Sequence, residues 1–161
     1  MKKYLVAAMV LLSIGMLAMP ARAVDRPIQL ALVTPIQIFP ADYSITGLRL
    51  NLLYGRNASV SGLDIGLVSH TTSGKSMGIG WSIVNLSDAS FTGFQGGWVN
   101  YVNGDFEGFQ YAFVNHANFA HGLQLGVVNH ANRMKGLQIG LINIIHTGGQ
   151  FPIFPIVNWS F

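Results

Sequence analysis

His116 and His130 are the residues of this chain best placed to do chemistry together. Each directly follows an asparagine (Asn115, Asn129), each holds the same place in a repeating unit, and His121 lies between them. Imidazoles spaced this way could share a divalent metal if the fold set them side by side. A metal site needs three or four ligands, however, and no cysteine or carboxylate recurs beside them. The plainer expectation is ordinary turn histidines, with no metal and no role for the isolated His70 and His146. Asp105 and Glu107 are the one close acidic pair. Two carboxylates facing a cleft can do general acid and base work, but these flank Phe106 beside Asn103-Gly104 and are expected to keep a turn soluble. Trp81, Phe94, Trp98, Phe109, Tyr111 and Phe113 could form a sugar-stacking platform, yet packing against a core or lipid is the simpler use. Asn57, Asn85 and Asn158 each open an Asn-x-Ser triplet, read as chance in a chain with a bacterial-looking leader. No Ser or Thr sits in a nucleophile-elbow setting. No catalytic, cofactor-binding or metal-binding residue is assigned, no cofactor is implied, and no small-molecule substrate is identified.

The elements that position these residues are more legible than the chemistry. One eight-residue block recurs: Gly, large apolar, usually Gln, apolar, small, apolar, Val or Ile, Asn. Its best copies are Gly93–Asn100, Gly108–Asn115, Gly122–Asn129 and Gly136–Asn143. Weaker copies are Gly47–Tyr54, Gly62–Ser69 and Gly78–Asn85, and Phe151–Asn158 is a degenerate eighth. Repeats of fixed period decide the architecture before other signals do. The blocks keep their length, while the connectors hold 7, 8, 7, 7, 6, 6 and 7 residues. Strands cannot absorb an insertion without turning side chains to the other face, and loops can. Within the block the pattern has period two. Leu123, Leu125 and Val127 point one way; Gln124, Gly126 and Val128 point the other. A helix would lose about 1 kcal/mol at each recurring Gly.

The first residues read as an address. Lys2 and Lys3 form a positive start, Tyr4 to Met19 an apolar run, and Ala21-Arg22-Ala23 a cleavage site, so residues 1–23 are expected to be a signal peptide and 24–161 a single β-repeat domain. The formal net charge of +3 comes from Lys2, Lys3 and Arg22. The mature chain is close to neutral and has no basic patch interleaved with aromatics, which argues against nucleic acid as a partner. An exported chain without cysteines has no disulfides and must rely on burial and backbone pairing. Few charges and many apolar residues point to self-association or contact with an outer membrane.

The expected fold class is all-β, a parallel β-solenoid of about eight 14–16-residue repeats. Gln95, Gln110, Gln124 and Gln138 would then stack one strand spacing apart, as would Asn85, Asn100, Asn115, Asn129 and Asn143. The large apolar face is expected to fill the interior. Phe106, Ala117, Ala131 and Met134 from the connectors would close it, with a bend at the small fifth position. The alternative is an antiparallel up-and-down outer-membrane barrel, whose strands would be about ten residues long. The terminal Trp159-Ser160-Phe161 resembles the end of bacterial outer-membrane barrel proteins. Against it stand nine candidate strands when Ile28–Pro40 is included, unalternating connector lengths, and identical blocks on strands that would run in opposite directions.

From about Ile28 to Phe161, and best over Gly93 to Asn143, the chain resembles tandem surface-repeat proteins of outer-membrane-bearing bacteria, with their G-[LVF]-Q-x-[GA]-x-[VI]-N unit. Arg49, Asp64 and Gly80 depart from it where Gln is usual. The resemblance implies an exported protein of the cell envelope (outer membrane, cell surface or periplasm) and brings no catalytic residues. The expected function is a non-enzymatic envelope protein with a structural or interaction role; the alternative is a small integral barrel, structural or a narrow pore.

Overall fold

The computed structural model describes residues 26–161, which form a parallel β-solenoid with no helix. The expected signal peptide lies outside the described residues. The strands are β1 (Ile28–Val33), β2 (Ile36–Gln37), β3 (Ile45–Asn57), β4 (Val60–Thr71), β5 (Ser76–Ser87), β6 (Phe91–Gly96), β7 (Val99–Thr147) and β8 (Ile153–Ser160). From β1 onward each rung lies parallel on the previous one, with Ile28 on Leu48, Leu48 on Leu63, Leu63 on Ile79, Ile79 on Phe94 and Phe94 on Phe109. The parallel register excludes the up-and-down barrel, in which neighbouring strands alternate in direction. β7 runs for 49 residues and supplies the last rungs as one continuous strand that turns corners at its glycines. Asn103-Gly104, expected in a turn, therefore lies within a strand. Ser73-Gly74 and Asp88 to Ser90 do leave the strands, as their composition suggests.

The first glycine of each block makes the coil possible. Gly47, Gly62, Gly78, Gly93, Gly108, Gly122 and Gly136 all have positive φ, between 120° and 143°. A Cβ on Gly108 would stand 2.0 Å from the carbonyl oxygen of Gly93, and one on Gly122 would stand 2.1 Å from that of Gly108. Both the backbone angle and the closeness of the rung below demand glycine. A second corner follows the fifth position. There Gly66 pairs with Ser82 and the ladder resumes at Val68 and Val84. The expected bend is thus present, and it shortens the path that the connector must return.

Three sequence expectations need correction. The first concerns the faces. Gln95, Gln110, Gln124, Gln138 and Asn100, Asn115, Asn129, Asn143 are buried, while Trp81, Trp98, Tyr111, Phe113 and Leu141 are exposed. The large apolar face is outside. The interior holds the amides, the small fifth residue and the connector side chains Phe91, Val102, Phe106, Ala117, Ala120, Ala131, Met134 and Ile145. Phe106, Ala117, Ala131 and Met134 do close the core as expected. The coil is too thin to hold two rows of large side chains: a Cβ on Gly126 would already stand 2.2 Å from the Ala112 carbonyl and 2.8 Å from the Asn115 amide. The second concerns the block beginning at Gly47, which carries one extra residue. Tyr54 pairs with Val68 and Gly55 with Ser69, so the bulge at Leu52-Leu53 puts Gly55 where other blocks have Asn. The third concerns the degenerate copy. β8 pairs antiparallel with the last rung, Gln138 opposite Asn158, and closes the stack as a cap.

Gly108→Ala should cost at least about 2 kcal/mol, since it combines a left-handed φ with a backbone clash. Glu107→Ala, exposed one residue earlier, should stay within about 0.5 kcal/mol of the parent. Chemical denaturation of the two variants checks this, and equal effects would contradict the corner geometry.

Candidate functional site

Two amide ladders run through the interior, and they run in opposite senses. Gln138 donates to Gln124 (2.8 Å), Gln124 to Gln110 (2.7 Å) and Gln110 to Gln95 (3.1 Å). Asn85 donates to Asn100 (2.8 Å), Asn100 to Asn115 (2.9 Å), Asn115 to Asn129 (2.9 Å) and Asn129 to Asn143 (2.8 Å). The second amide hydrogen of each Asn goes to a backbone carbonyl, such as Gln95 O for Asn100 and Leu125 O for Asn115. Both ladders form at the positions expected from sequence. Buried inside the coil, these amides are not offered to a ligand.

Where Gln is replaced, the column changes chemistry. Arg49, fully buried, makes a two-pronged contact with Asp64: Nε to Oδ1 at 2.8 Å and Nη2 to Oδ2 at 2.6 Å. Its Nη1 donates to the His70 carbonyl at 3.1 Å. Asp64 Oδ1 also accepts from Asn51 Nδ2 and Ser69 Oγ. Asn51 reaches into the space that Gly55 leaves: a Cβ on Gly55 would stand 1.7 Å from Asn51 Oδ1. Neighbouring rungs thus exchange an amide pair for an ion pair whose remaining hydrogen-bonding capacity is used.

The histidines do come together, and His146 joins them. His116 Nδ1 lies 2.7 Å from His130 Nδ1, and His130 Nε2 lies 2.9 Å from His146 Nε2. Tyr101 stacks on His116 with centroids 4.3 Å apart, and His116 on His130 at 4.8 Å. Rings stacked nearly parallel, at 9°, do not aim two lone pairs at one ion. Among the described residues no group of three His, Cys, Asp or Glu side chains is placed to hold a metal. His121 is exposed on the next corner. His70 does have partners, Tyr54 Oη at 2.7 Å and Asp88 Oδ2 at 2.9 Å, although its sequence setting assigned it no role. Burial lowers the pKa of both His116 and His130 from 6.5; His130 adds to the effect on His116, and His146 to that on His130.

The acidic pair does not face a cleft. Asp105 and Glu107 point outward on either side of buried Phe106, and Glu107 lies 4.0 Å from Lys75. Asn57, Asn85 and Asn158 are buried, which closes them to glycosylation in the folded chain.

The outer apolar face remains. Its columns are Ile28, Leu48, Leu63, Ile79, Phe94, Phe109, Leu123, Leu137; then Leu30, Leu50, Ile65, Trp81, Tyr111, Leu125, Ile139; then Leu32, Leu67, Ile83, Trp98, Phe113, Val127, Leu141. No charged residue interrupts them. At the second corner the face is concave. Gly66, Ser82, Gly97, Ala112 and Gly126 floor a groove of about 640 Å³ walled by Ile65, Trp81, Tyr111 and Leu125 on one side and Ile83, Trp98, Phe113 and Val127 on the other. A second hollow of about 600 Å³ continues it through Ile65 and Gly66 to Leu30, Leu32, Ile36 and Ile38. The central aromatics pack edge to face or stacked, Trp98 on Phe113 at 6.0 Å and Trp81 on Phe94 at 5.8 Å. The aromatic cluster was visible in the sequence; its outward aim was not, because the alternation alone does not say which face is in. Comparisons with protein-family models, curated proteins and solved structures found no match.

Two outcomes test this geometry. Asn115→Leu should cost about 1–3 kcal/mol, because it leaves Asn100 and Asn129 partly unsatisfied. A double-mutant cycle on Asn100 and Asn115 should show coupling above about 0.5 kcal/mol, and additive effects would contradict the ladder. The histidine stack sets a pH dependence. A histidine whose folded pKa is depressed contributes stability that is present above 6.5 and is lost as pH falls below it toward the folded value. The melting temperature should therefore be flat from pH 8 to 7 and fall toward pH 5. His130→Asn should flatten that fall.

Proposed function

We propose that this chain is an exported, non-enzymatic protein of the cell envelope with a structural or interaction role, and that the outer apolar face is its working surface. The observation that carries the reading is the size of that face and its lack of charge. Trp98 is 61 % exposed, Phe113 58 % and Leu141 69 %, among large apolar neighbours on every rung. A free soluble protein rarely shows a contiguous apolar patch beyond about 300–600 Å², and larger ones mark contact with protein or membrane. Burying the amides and exposing the apolar row is the reverse of what solubility alone favours, so the exposed row needs a use.

The charged residues support the same division. Lys75, Asp88, Asp105, Glu107, Arg133 and Lys135 all lie outside the apolar columns, toward or on the connectors. One side of the coil suits water and the other suits an apolar partner. Export is inferred from the leader of residues 1–23. Mass spectrometry of the protein recovered from cells should find Val24 at its N-terminus, in the envelope fraction. An intact Met1 form in the cytoplasm would overturn the localisation and with it this reading.

A further inference from the structure

We propose that the apolar face is covered by the same face of a second copy of this chain, in a two-fold dimer with the aromatic groove near its centre. The inference rests on the reading of that face as the working surface, and it names the occupant.

Three features of the face select a second copy. The first is area. Rungs about 4.8 Å apart, from Ile28 to Leu137, span about 34–38 Å, and the three columns span about 13 Å along each rung, a flat footprint of roughly 450–500 Å²; the half-exposed rings and branches that project from it raise its accessible area toward the about 800 Å² that each partner of a stable complex buries. The second is the placement of the aromatics. Trp81, Trp98, Tyr111 and Phe113 stand at the middle of the stack, with aliphatic Leu30, Leu32 and Leu141 toward its ends. Buried anchors of protein interfaces gather at the centre in this way, whereas residues that anchor to a bilayer sit at its polar boundary. The third is charge. A lipid surface holds an amphipathic face partly through a basic rim, yet the chain after the leader is close to neutral, Glu107 holds the place before a block's glycine that Lys135 holds two rungs on, and Lys75 lies 4.0 Å from Glu107.

The shape suits self-pairing. In a two-fold interface a residue that fills a pocket on the partner has its own pocket filled by the same residue. The groove between the fourth-position and sixth-position rows is such a pocket, and Trp98, on its wall and 61 % exposed, is such a residue. Two sheet faces mate at about 10 Å when their side chains interdigitate.

The chain has no cysteine, so single introduced cysteines report proximity cleanly. Ile83→Cys, Trp98→Cys and Phe113→Cys on the face, and Asn132→Cys and Glu107→Cys on the connector side, would each be expressed in cells. Envelope fractions would then be oxidised and run without reductant. All five residues lie outside the buried core, and protease resistance confirms that each variant folds. The expected result is disulfide-linked dimer from one or more face positions, at least tenfold above the connector positions, and loss of the Phe113→Cys dimer when Trp98→Lys is added. Equal crosslinking from both sides would mean random collision and would overturn the dimer. No crosslinking from the face would overturn it as well, and labelling with a membrane-impermeant maleimide then separates the two readings. Face cysteines shielded from the reagent would mean that lipid or another protein covers the face, leaving the proposed function standing. Face cysteines that react as freely as Asn132→Cys would defeat both.

Discussion

The interior amide ladders constrain the rest of the structure. A primary amide has two donors and an acceptor with two lone pairs, and each must find a partner once water is excluded. A column of identical amides one strand spacing apart meets that need with its own copies. This requires that the rungs stay in register along the Gln and Asn columns. It also requires that the neighbouring inward position stay small, as Gly66, Ser82, Ala112, Gly126 and Gly140 do. The two ladders point in opposite directions, Gln toward the preceding rung and Asn toward the following one. Within each ladder the hydrogen bonds polarise one another, and the amide dipoles of the two ladders oppose each other.

The ends of the ladders show what happens when the partner runs out. At the N-terminal side Arg49 and Asp64 replace an amide pair with an ion pair, and Asn51 and Ser69 supply the bonds that Asp64 still lacks. Gly80 then leaves the column open between Asp64 and Gln95. At the C-terminal side the Gln ladder ends in an acceptor, because Gln110, Gln124 and Gln138 each donate backward. Gln138 Oε1 is buried without a partner. A further parallel rung would supply one. Instead β8 turns antiparallel, and Asn158 bonds to the Phe151 carbonyl and to the Trp159 amide. The cap leaves that one acceptor unsatisfied and in return offers no matching edge on which another coil could stack.

The architecture was legible from spacing and period. The alternation in Gly122–Asn129, the constant block and the variable connectors led to strands, and the recurrence of Gln and Asn led to the ladders that form. The orientation of the blocks was not legible, because the usual rule places the large apolar row inside. Two signals in the sequence oppose that rule here. A small residue recurs at the fifth position, on the same side as Gln124, and buried amides are plausible only where identical amides can pair, which a fixed repeat ensures. In the sequence the glycine that opens each block shows only as a poor helix former. Its need for positive φ depends on the coil corner and on the Gly93 or Gly108 carbonyl beneath it, neither of which is local. His146 was missed because it falls two residues past the position equivalent to His130. Its Nε2 reaches His130 only because the last rung lies directly above.

The inverted orientation links the fold to the proposed use. A solenoid that buried its large apolar row would be a self-sufficient rod with a polar surface. Here the amide columns and the apolar side chains of the connectors, from Ala117 to Phe106 and Met134, already fill the interior, so the coil closes without the outer row. That row is then free of the packing demands of the core. Its residues vary from Leu30 to Tyr111 to Leu125 along one column while the buried Gln beside them (Gln29, Gln110, Gln124) recurs. Within a rung, then, the constant positions hold the stack together and the variable ones define the surface. On the proposed function, stability and recognition fall to alternate residues of the same strand, and the pleat keeps them apart.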